Sequence, residues 1–343
     1  MTVSRRQFLN SAGAAAAGLI LAPALAAGRP FARLDDRRRT LIVINLRGGA
    51  DGLSLLVPYR DPHLRAARPT LALDAPGTGR RAVLDLDGTF GLHPALAPVK
   101  PIFDRGQALG IFGVGHANPT RSHFVEQDVW ETADIQHPAT TLGWANRTLR
   151  STSAHGAVRA VTAGGSFPRL AGEPGVMRIE DIRDRAAHDH RSAVTYPQSE
   201  LAQNLRDIAG LLRANVGLEI VGLELDGWDT HREQHHRLTA LTHTLAEAVA
   251  AFWSDVADLP QHITLMTTSE FGRSVVENRT GGTDHGAANA MFVFDNRFPA
   301  RMSPVSARST GLAADRLIDG RDLPAEIDFR HILRNYAGAC TAG

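Results

Sequence analysis

The chain has 343 residues, and its 37 lysines and arginines nearly balance 36 aspartates and glutamates. The net charge of +1 leaves no case for a polyanion-binding surface and removes nucleic acid as an expected partner. A hydrophobic fraction of 43% is enough for a globular core, and the single cysteine, Cys340, excludes an intramolecular disulfide.

At the N-terminus, Ser4-Arg5-Arg6-Gln7-Phe8-Leu9-Asn10 is a twin-arginine export motif followed by an Ala-rich apolar run. The run over 12–25 falls short of the roughly 20 apolar residues that a membrane span requires. It predicts a cleaved signal and no stable span; left uncleaved, it would act as an anchoring N-terminal helix. Ala24-Leu25-Ala26 is a small-x-small cleavage site, with Ala22-Pro23-Ala24 as a second candidate. The expected organisation is a signal peptide over 1–26, a linker over 27–39 and a single domain over 40–343. Passage through the twin-arginine translocation machinery implies a periplasmic or extracellular destination. Because that route carries folded chains, it also raises the expectation of a metal or cofactor acquired before export. In an oxidising compartment Cys340 is available only to cross-link two chains, and is otherwise an inconsequential terminal residue.

Residues 40–46 form a continuous β-branched run ending in Arg47-Gly48-Gly49, the pattern of a buried strand and a glycine-rich turn. Residues 60–90 carry Pro, Gly and short β-like runs, with a hairpin-like turn at 84–88, and predict an excursion from the main sheet. A helix is expected over 94–104, a strand over 108–114 and a helix over 122–133. Residues 150–195 lack periodicity and predict a loop-rich cap near the site. Then come a helix over 200–214, a strand over 219–225 and a helix over 237–256, where Leu238, Leu241, Leu245 and Val249 recur at helical spacing. Strands over 262–268 and 290–294 follow. This alternation predicts an α/β fold with a mainly parallel central sheet and helices on both faces.

Ligands of such folds bind beyond the carboxyl ends of the parallel strands, and polar clusters lie where those ends are expected. Asp51 sits in Gly48-Gly49-Ala50-Asp51-Gly52, a turn whose free N–H groups also suit an anion. Asp229 and His231 stand in Gly227-Trp228-Asp229-Thr230-His231, a carboxylate and an imidazole that suit a cation, or else an Asp that caps the next helix. His235 and His236 extend this segment, His235 one turn beyond His231. Glu270 and Arg273 follow the 262–268 strand as a cation ligand and an oxyanion fork, or as a mutual ion pair. Asp284 and His285 are flanked by glycines that permit close backbone approach. Ser122 and His123 open a helix, Ser122 as nucleophile or N-cap and His123 as ligand or acid/base. His93 and His116 read as core or surface residues, or else as further members of the same pocket, and Trp144 and Trp228 as packing or pocket lining.

Taken in order, SRRQFL, LRGGADGLSLLVPY, GLHPAL, SHFVEQDVWET, GWDTH, TTSEFGR, EN and GTDHG closely resemble DUF1501, an exported bacterial family of unknown function, across the mature chain. That family is similar in fold to the alkaline phosphatase and sulfatase superfamily. The resemblance implies an alkaline-phosphatase-like fold with Asp51 as first-strand ligand, Ser122 at the nucleophile position, Asp229 and His231 as middle ligands and His285 as late histidine. The chain departs from the superfamily at Ser269-Glu270-Phe271-Gly272, where Ser-Asp-His-Gly is common and Phe271 cannot bind a metal. Its middle block is Asp-x-His, where Asp-x-x-x-His is common, with His235 nearby.

The expectation is therefore an exported metal-dependent hydrolase of small-molecule or polymer phosphate or sulfate esters. Asp51, Asp229, His231, Glu270, Asp284 and His285 would hold a divalent ion, whether zinc, manganese, calcium or magnesium, with Ser122, His123 and Arg273 acting on substrate. The alternative is a binding or assembly protein that keeps the scaffold without turnover. Its implied partner is an exported protein of the DUF1800 family, often encoded beside DUF1501 members. A metal-free serine hydrolase is disfavoured because no Gly-x-Ser-x-Gly elbow is present, and the phosphate-loop motif is also missing.

Overall fold

The computed structural model describes residues 39–140, 142–152, 156–183, 192–299, 302–308 and 311–337. The export motif, the cleavage sites, most of the linker and Cys340 lie outside the described residues.

The central sheet has nine strands: β1 (Arg39–Leu46), β5 (Ala108–Gly115), β6 (Ala160–Thr162), β7 (Val176–Arg178), β8 (Ile220–Leu225), β9 (His262–Thr268), β12 (Asn289–Asp295), β13 (Val305–Ser306) and β14 (Ile327–Asp328). Their order is β13-β5-β12-β9-β1-β8-β6-β7, with β14 also on the β5 edge. Every pairing is parallel except those of β12, which runs against both β5 and β9. The fold is thus α/β with a mainly parallel sheet. Away from the sheet, β2 (Leu56–Val57), β3 (Leu84–Asp85) and β4 (Gly91–Leu92) form a small antiparallel sheet, and β10 (Arg273–Glu277) pairs with β11 (Thr283–His285). The excursion expected over 60–90 is this small sheet with its turns.

Nine α-helices occur among the described residues: α1 (Gly52–Leu55), α2 (Leu64–Ala67), α3 (Lys100–Asp104), α4 (His123–Thr132), α5 (Trp144–Ser151), α6 (Ile179–Arg183), α7 (Glu200–Ala214), α8 (Gln234–Asp255) and α9 (Phe329–Ala337). The helix expected over 94–104 starts as a 3-10 helix, Pro94–Val99, and only then becomes α3. Pro98 and Pro101 supply no N–H and disfavour a regular α-helix there.

Both faces of the sheet are covered. Ile42, Ile44 and Leu46 of β1 pack into a core with Leu205 and Ile208 of α7 and Leu245, Val249 and Phe252 of α8. Leu41 and Val43 point the other way, into a core with Trp130 of α4, Trp144 and Leu149 of α5 and Leu333 of α9. Each such side chain contributes about 1.5–3 kcal/mol on full burial, which is why a central strand reads as a continuous apolar run rather than an alternating one.

Within 150–195 the expectation of loops needs correcting. Two three-residue strands, β6 and β7, extend the parallel sheet beyond β8, and the described residues around them include a 3-10 turn, Pro168–Leu170, and α6. The hydrogen bonds of the two strands go to neighbours distant in sequence, so they need no long periodic signal. No helix among the described residues is long and apolar enough to cross a membrane.

Candidate metal centre

The strand directions decide what converges. β1, β8 and β9 are mutually parallel, so the segments after Leu46, Leu225 and Thr268 emerge at one edge of the sheet. β5 shares their direction and leads through 116–122 to α4, which brings His123 to the same edge. The reversed β12 brings its beginning there instead, so His285 arrives just before that strand. Gly48, at φ +119°, lets the loops interlock, since a Cβ there would lie 2.4 Å from the backbone nitrogen of Asp229.

Asp229 is the centre. Its Oδ1 lies 3.0 Å from His231 Nε2 and 3.2 Å from His285 Nε2, and the two imidazole nitrogens are 3.0 Å apart. His123 Nε2 stands 3.7 Å from Asp229 Oδ2. His123, Asp229 and His285 form a group whose ligand atoms all lie within 4.8 Å of one another, close enough to hold a metal ion. Tetrahedral ligands at about 2.0–2.1 Å from an ion stand about 3.3 Å apart. The three closest contacts, at 3.0, 3.2 and 3.0 Å, fall one to three tenths short of that, so a small opening would admit the ion.

Each imidazole has a partner on its outer nitrogen. His123 Nδ1 is 2.8 Å from Glu270 Oε1, His285 Nδ1 is 3.0 Å from the Arg121 carbonyl oxygen, and His231 Nδ1 is 3.5 Å from Asp284 Oδ1. A carbonyl oxygen can only accept, so His285 carries a proton on Nδ1, and in the neutral ring, which burial favours, Nε2 presents its lone pair inwards. Outer partners of this type fix ring orientation and tautomer for metal binding.

Electrostatics follow from these contacts. The hydrogen bond to Glu270, followed by its charge, outweighs partial burial and raises the His123 pKa. Burial dominates at His285 and lowers its pKa. Burial would raise the Asp229 pKa, but the Arg273 hydrogen bond and charge overcome it and hold the carboxyl below its ordinary range.

Several residues take places other than those expected from sequence. Asp51 is 1% exposed and joins the buried Arg68: Nη1 reaches Oδ2 at 2.6 Å and Nη2 reaches Oδ1 at 3.0 Å. Ser54 and Gln234 also donate to Asp51 Oδ2, so its lone pairs are spent on the core and the structure does not bring it into the cluster. Glu270, 2% exposed, accepts from Gly48 N and Gln127 besides contacting His123, which makes it a holder of His123 rather than a ligand.

Arg273, 1% exposed, is no substrate fork. It donates to the carbonyls of Gly48, Gly49, Trp228 and Thr283 and to Asp229 Oδ1 at 2.6 Å, tying the converging loops together. Asp284 touches the outer nitrogen of His231 and not the centre. Ser122 takes the N-cap position of α4 without a side-chain capping bond, and its hydroxyl bonds to no cluster member among the described residues. Phe271 packs 4.8 Å from His123 and 4.6 Å from His285, ring centre to ring centre.

His235 and His236 pack on each other. His93 is buried, accepts from Ala95 N, and is pushed by burial down to about 4. His116 is buried against Glu126 at 2.6 Å, a pair that shapes the loop leading to His123. Trp228 is fully buried, and Trp144 lines a cavity next to the centre. Sequence inspection missed Arg68, Gln127, Gln234 and Glu126. Arg68 follows α2 as its C-cap residue, and nothing local in Leu64-Arg65-Ala66-Ala67-Arg68 separates it from the exposed Arg65.

Among solved structures, the chain is similar to the C-terminal periplasmic domain of phosphoethanolamine transferase EptC from Campylobacter jejuni, at 9% identity and TM-score 0.48, covering 89% of this chain and 91% of that one. The corresponding Escherichia coli domain, in complex with Zn, is 9% identical with TM-score 0.46 over 91% and 86% of the two chains. A Vibrio parahaemolyticus protein of the alkaline phosphatase superfamily is 8% identical with TM-score 0.38 over 88% and 71%. No curated protein matches the chain. The family described as protein of unknown function, DUF1501, matches residues 136–294, a stretch that takes in Asp229, His231, Glu270 and His285. Over that stretch the chain is similar to the DUF1501 family.

Proposed function

We propose that this chain is an exported metal-dependent hydrolase of phosphate or sulfate esters, with His123, Asp229, His231 and His285 holding one divalent cation. The observation that carries this is the convergence of three imidazoles on one carboxylate, each imidazole with a partner on its outer nitrogen. With Asp51 and Glu270 engaged elsewhere, the donor set is rich in nitrogen. It suits zinc better than the oxygen-seeking calcium or magnesium. When bound, such an ion polarises the ester and lowers the pKa of a nucleophile.

The chain's own residues then have distinct tasks. Glu270 holds His123 in one orientation, the Arg121 carbonyl fixes the His285 tautomer, and Arg273 keeps Asp229 ionised. Ser122, at the N-terminus of α4 and next to His123, is the nucleophile in this proposal. Residues 1–26 serve as the export signal read by the twin-arginine machinery.

The test is elemental analysis of the mature protein purified without chelators, with Asp229→Ala and His285→Ala alongside, then a panel of phosphate and sulfate esters. Stoichiometric transition metal lost in both variants, with turnover lost in Ser122→Ala, supports the proposal. Wild type without metal and without a thermal shift on adding zinc, manganese, magnesium or calcium overturns it.

One observation favours the second possibility, a scaffold for binding or assembly without turnover. The Arg273 guanidinium already neutralises Asp229 at 2.6 Å, as a cation would. Stable co-purification with an exported DUF1800 protein, together with no turnover on either ester class, favours that role.

A further inference from the structure

Across Glu270 from the metal centre lies a cavity of about 280 Å³. It opens on the face of the sheet that carries Leu41, Val43 and Met266. At the carboxyl ends of the strands those apolar rungs give way to polar ones. Asn45 of β1 pairs with Thr268 of β9 on one side and Glu224 of β8 on the other. Asn45 and Thr268 both line the cavity, and neither side chain hydrogen-bonds to any described residue. Arg47, one rung further on, lines it too and rests on Glu224 through a single contact of 3.1 Å. Amide, hydroxyl and guanidinium donors therefore face whatever fills this space.

The walls are aromatic. Phe124, 84% exposed, follows His123 directly and lines the cavity. Phe167, which also lines it, has φ +49°, a conformation that is an outlier for a bulky residue and persists only where surrounding structure enforces it. Gly222 makes room for it, since a Cβ there would lie 2.3 Å from the Phe167 ring. Such strain clusters at ligand clamps.

Aromatic faces above a floor of amide, hydroxyl and guanidinium groups match a ring with apolar C–H faces and a hydroxyl rim. An acyl chain or a plain aromatic ring would leave the floor groups unbonded on loss of water, at a cost. An anion would face Asp128, Glu131 and Glu270, which also line the cavity. The volume falls just below the usual range of ligand pockets, about 300–1,000 Å³, and admits one ring. We propose that this cavity is a sugar subsite that holds a single pyranose ring. If the ester-hydrolase proposal is right, the ring is the part of the substrate next to the scissile ester; ring binding itself needs no metal.

The experiment titrates the full mature chain with glucose, galactose and N-acetylglucosamine, with cyclohexanol and phenol as apolar-ring controls. Saturation-transfer NMR and tryptophan fluorescence, which reports Trp130 and Trp144 in the cavity wall, give the readout. The expected result is saturable millimolar binding of at least one sugar, unchanged in Asp229→Ala. It weakens about tenfold in Asn45→Ala, the loss of one or two hydrogen bonds, and comparably in Phe124→Ala, whose exposure means that folding is not at stake. Absence of sugar binding in wild type overturns the proposal, as do controls that bind as tightly as any sugar. So does sugar binding that neither Phe124→Ala nor Asn45→Ala weakens. Sugar binding in a protein that takes no metal leaves this subsite standing and removes only the hydrolase proposal, whereas a metal-loaded, active enzyme blind to all three sugars does the reverse.

Discussion

Replacing Glu270 by Gln separates holding a ligand from being one. Glu270 lies beneath the centre with its side chain 1% exposed, and Oε1 accepts from Gly48 N at 2.9 Å and contacts His123 Nδ1 at 2.8 Å. Gln is isosteric and its carbonyl oxygen still accepts from Gly48, so the loop stays pinned. What is lost is the charge opposite His123. A hydrogen bond to a charged group contributes about 1.5–3 kcal/mol and a neutral one about 0.5–1.5 kcal/mol, so stability should fall by only about 1 kcal/mol. Metal affinity should fall by about 10–100-fold, the usual cost of losing an outer partner of a metal-bound imidazole, which corresponds to about 1.4–2.8 kcal/mol.

The assays are competition of zinc against a chromophoric chelator, urea unfolding of the metal-free chain, and NMR titration of His123. Glu270 raises the His123 pKa in the metal-free protein, so the variant's His123 should titrate at lower pH than in wild type. Asp284→Asn serves as the comparison and should cost less, because Asp284 is solvent-exposed and 3.5 Å from His231. Zinc affinity unchanged within about twofold in a folded Glu270→Gln protein, with the His123 titration unmoved, would refute the assignment of Glu270 as holder.

Asp51→Asn should cost about 3–5 kcal/mol in urea unfolding by leaving Arg68 charged and unpaired in the core, yet metal stoichiometry should stay at the wild-type value; loss of the metal would return Asp51 to the ligand set. Gly48→Ala should destabilise the fold and release metal together, because the added Cβ meets the Asp229 backbone at 2.4 Å from a left-handed φ, and a crystal structure with Asp229 undisplaced would contradict this.

A pH dependence should come from the buried His116–Glu126 pair. Burial opposes the His116 charge, but the Glu126 hydrogen bond and charge raise its pKa above 6.5, so that contribution is full below 6.5 and fades as pH rises through the folded value. Burial likewise opposes the Glu126 charge, but His116 and the Thr120 contacts lower its pKa below 4.5, so that contribution holds above 4.5 and fades as pH falls through the folded value. The stability gap between wild type and Glu126→Gln should therefore be widest between about 4.5 and 6.5 and narrower at pH 9; a gap that widens from pH 6.5 to pH 9 would be the wrong sign.

Sequence alone carried the main strands and the identity of the cluster segments. The β-branched run at 40–46, the apolar runs at 108–114 and 262–268 and the leucine spacing along α8 reflect local chemistry, because a strand covered on both faces and an amphipathic helix must spell their burial in consecutive residues. The glycines around Asp229 and His285 marked turns for the same reason. β6 and β7 went unread because three residues carry no period, and their place comes entirely from backbone bonds to β8 and to each other.

Which acids meet the imidazoles was decided only by tertiary structure. Asp51 and Asp229 both follow parallel strands in glycine-bearing turns, and nothing local separates them. Arg68, seventeen residues downstream, takes both oxygens of Asp51, while Asp229 keeps one face open to three histidines from three segments. Glu270 and Arg273 are likewise the residue types that bind cations and oxyanions, but burial turns one into the holder of His123 and the other into a clamp on backbone carbonyls. The residues supply the donors and acceptors; the strand directions, and above all the reversal of β12, decide which of them share a point in space.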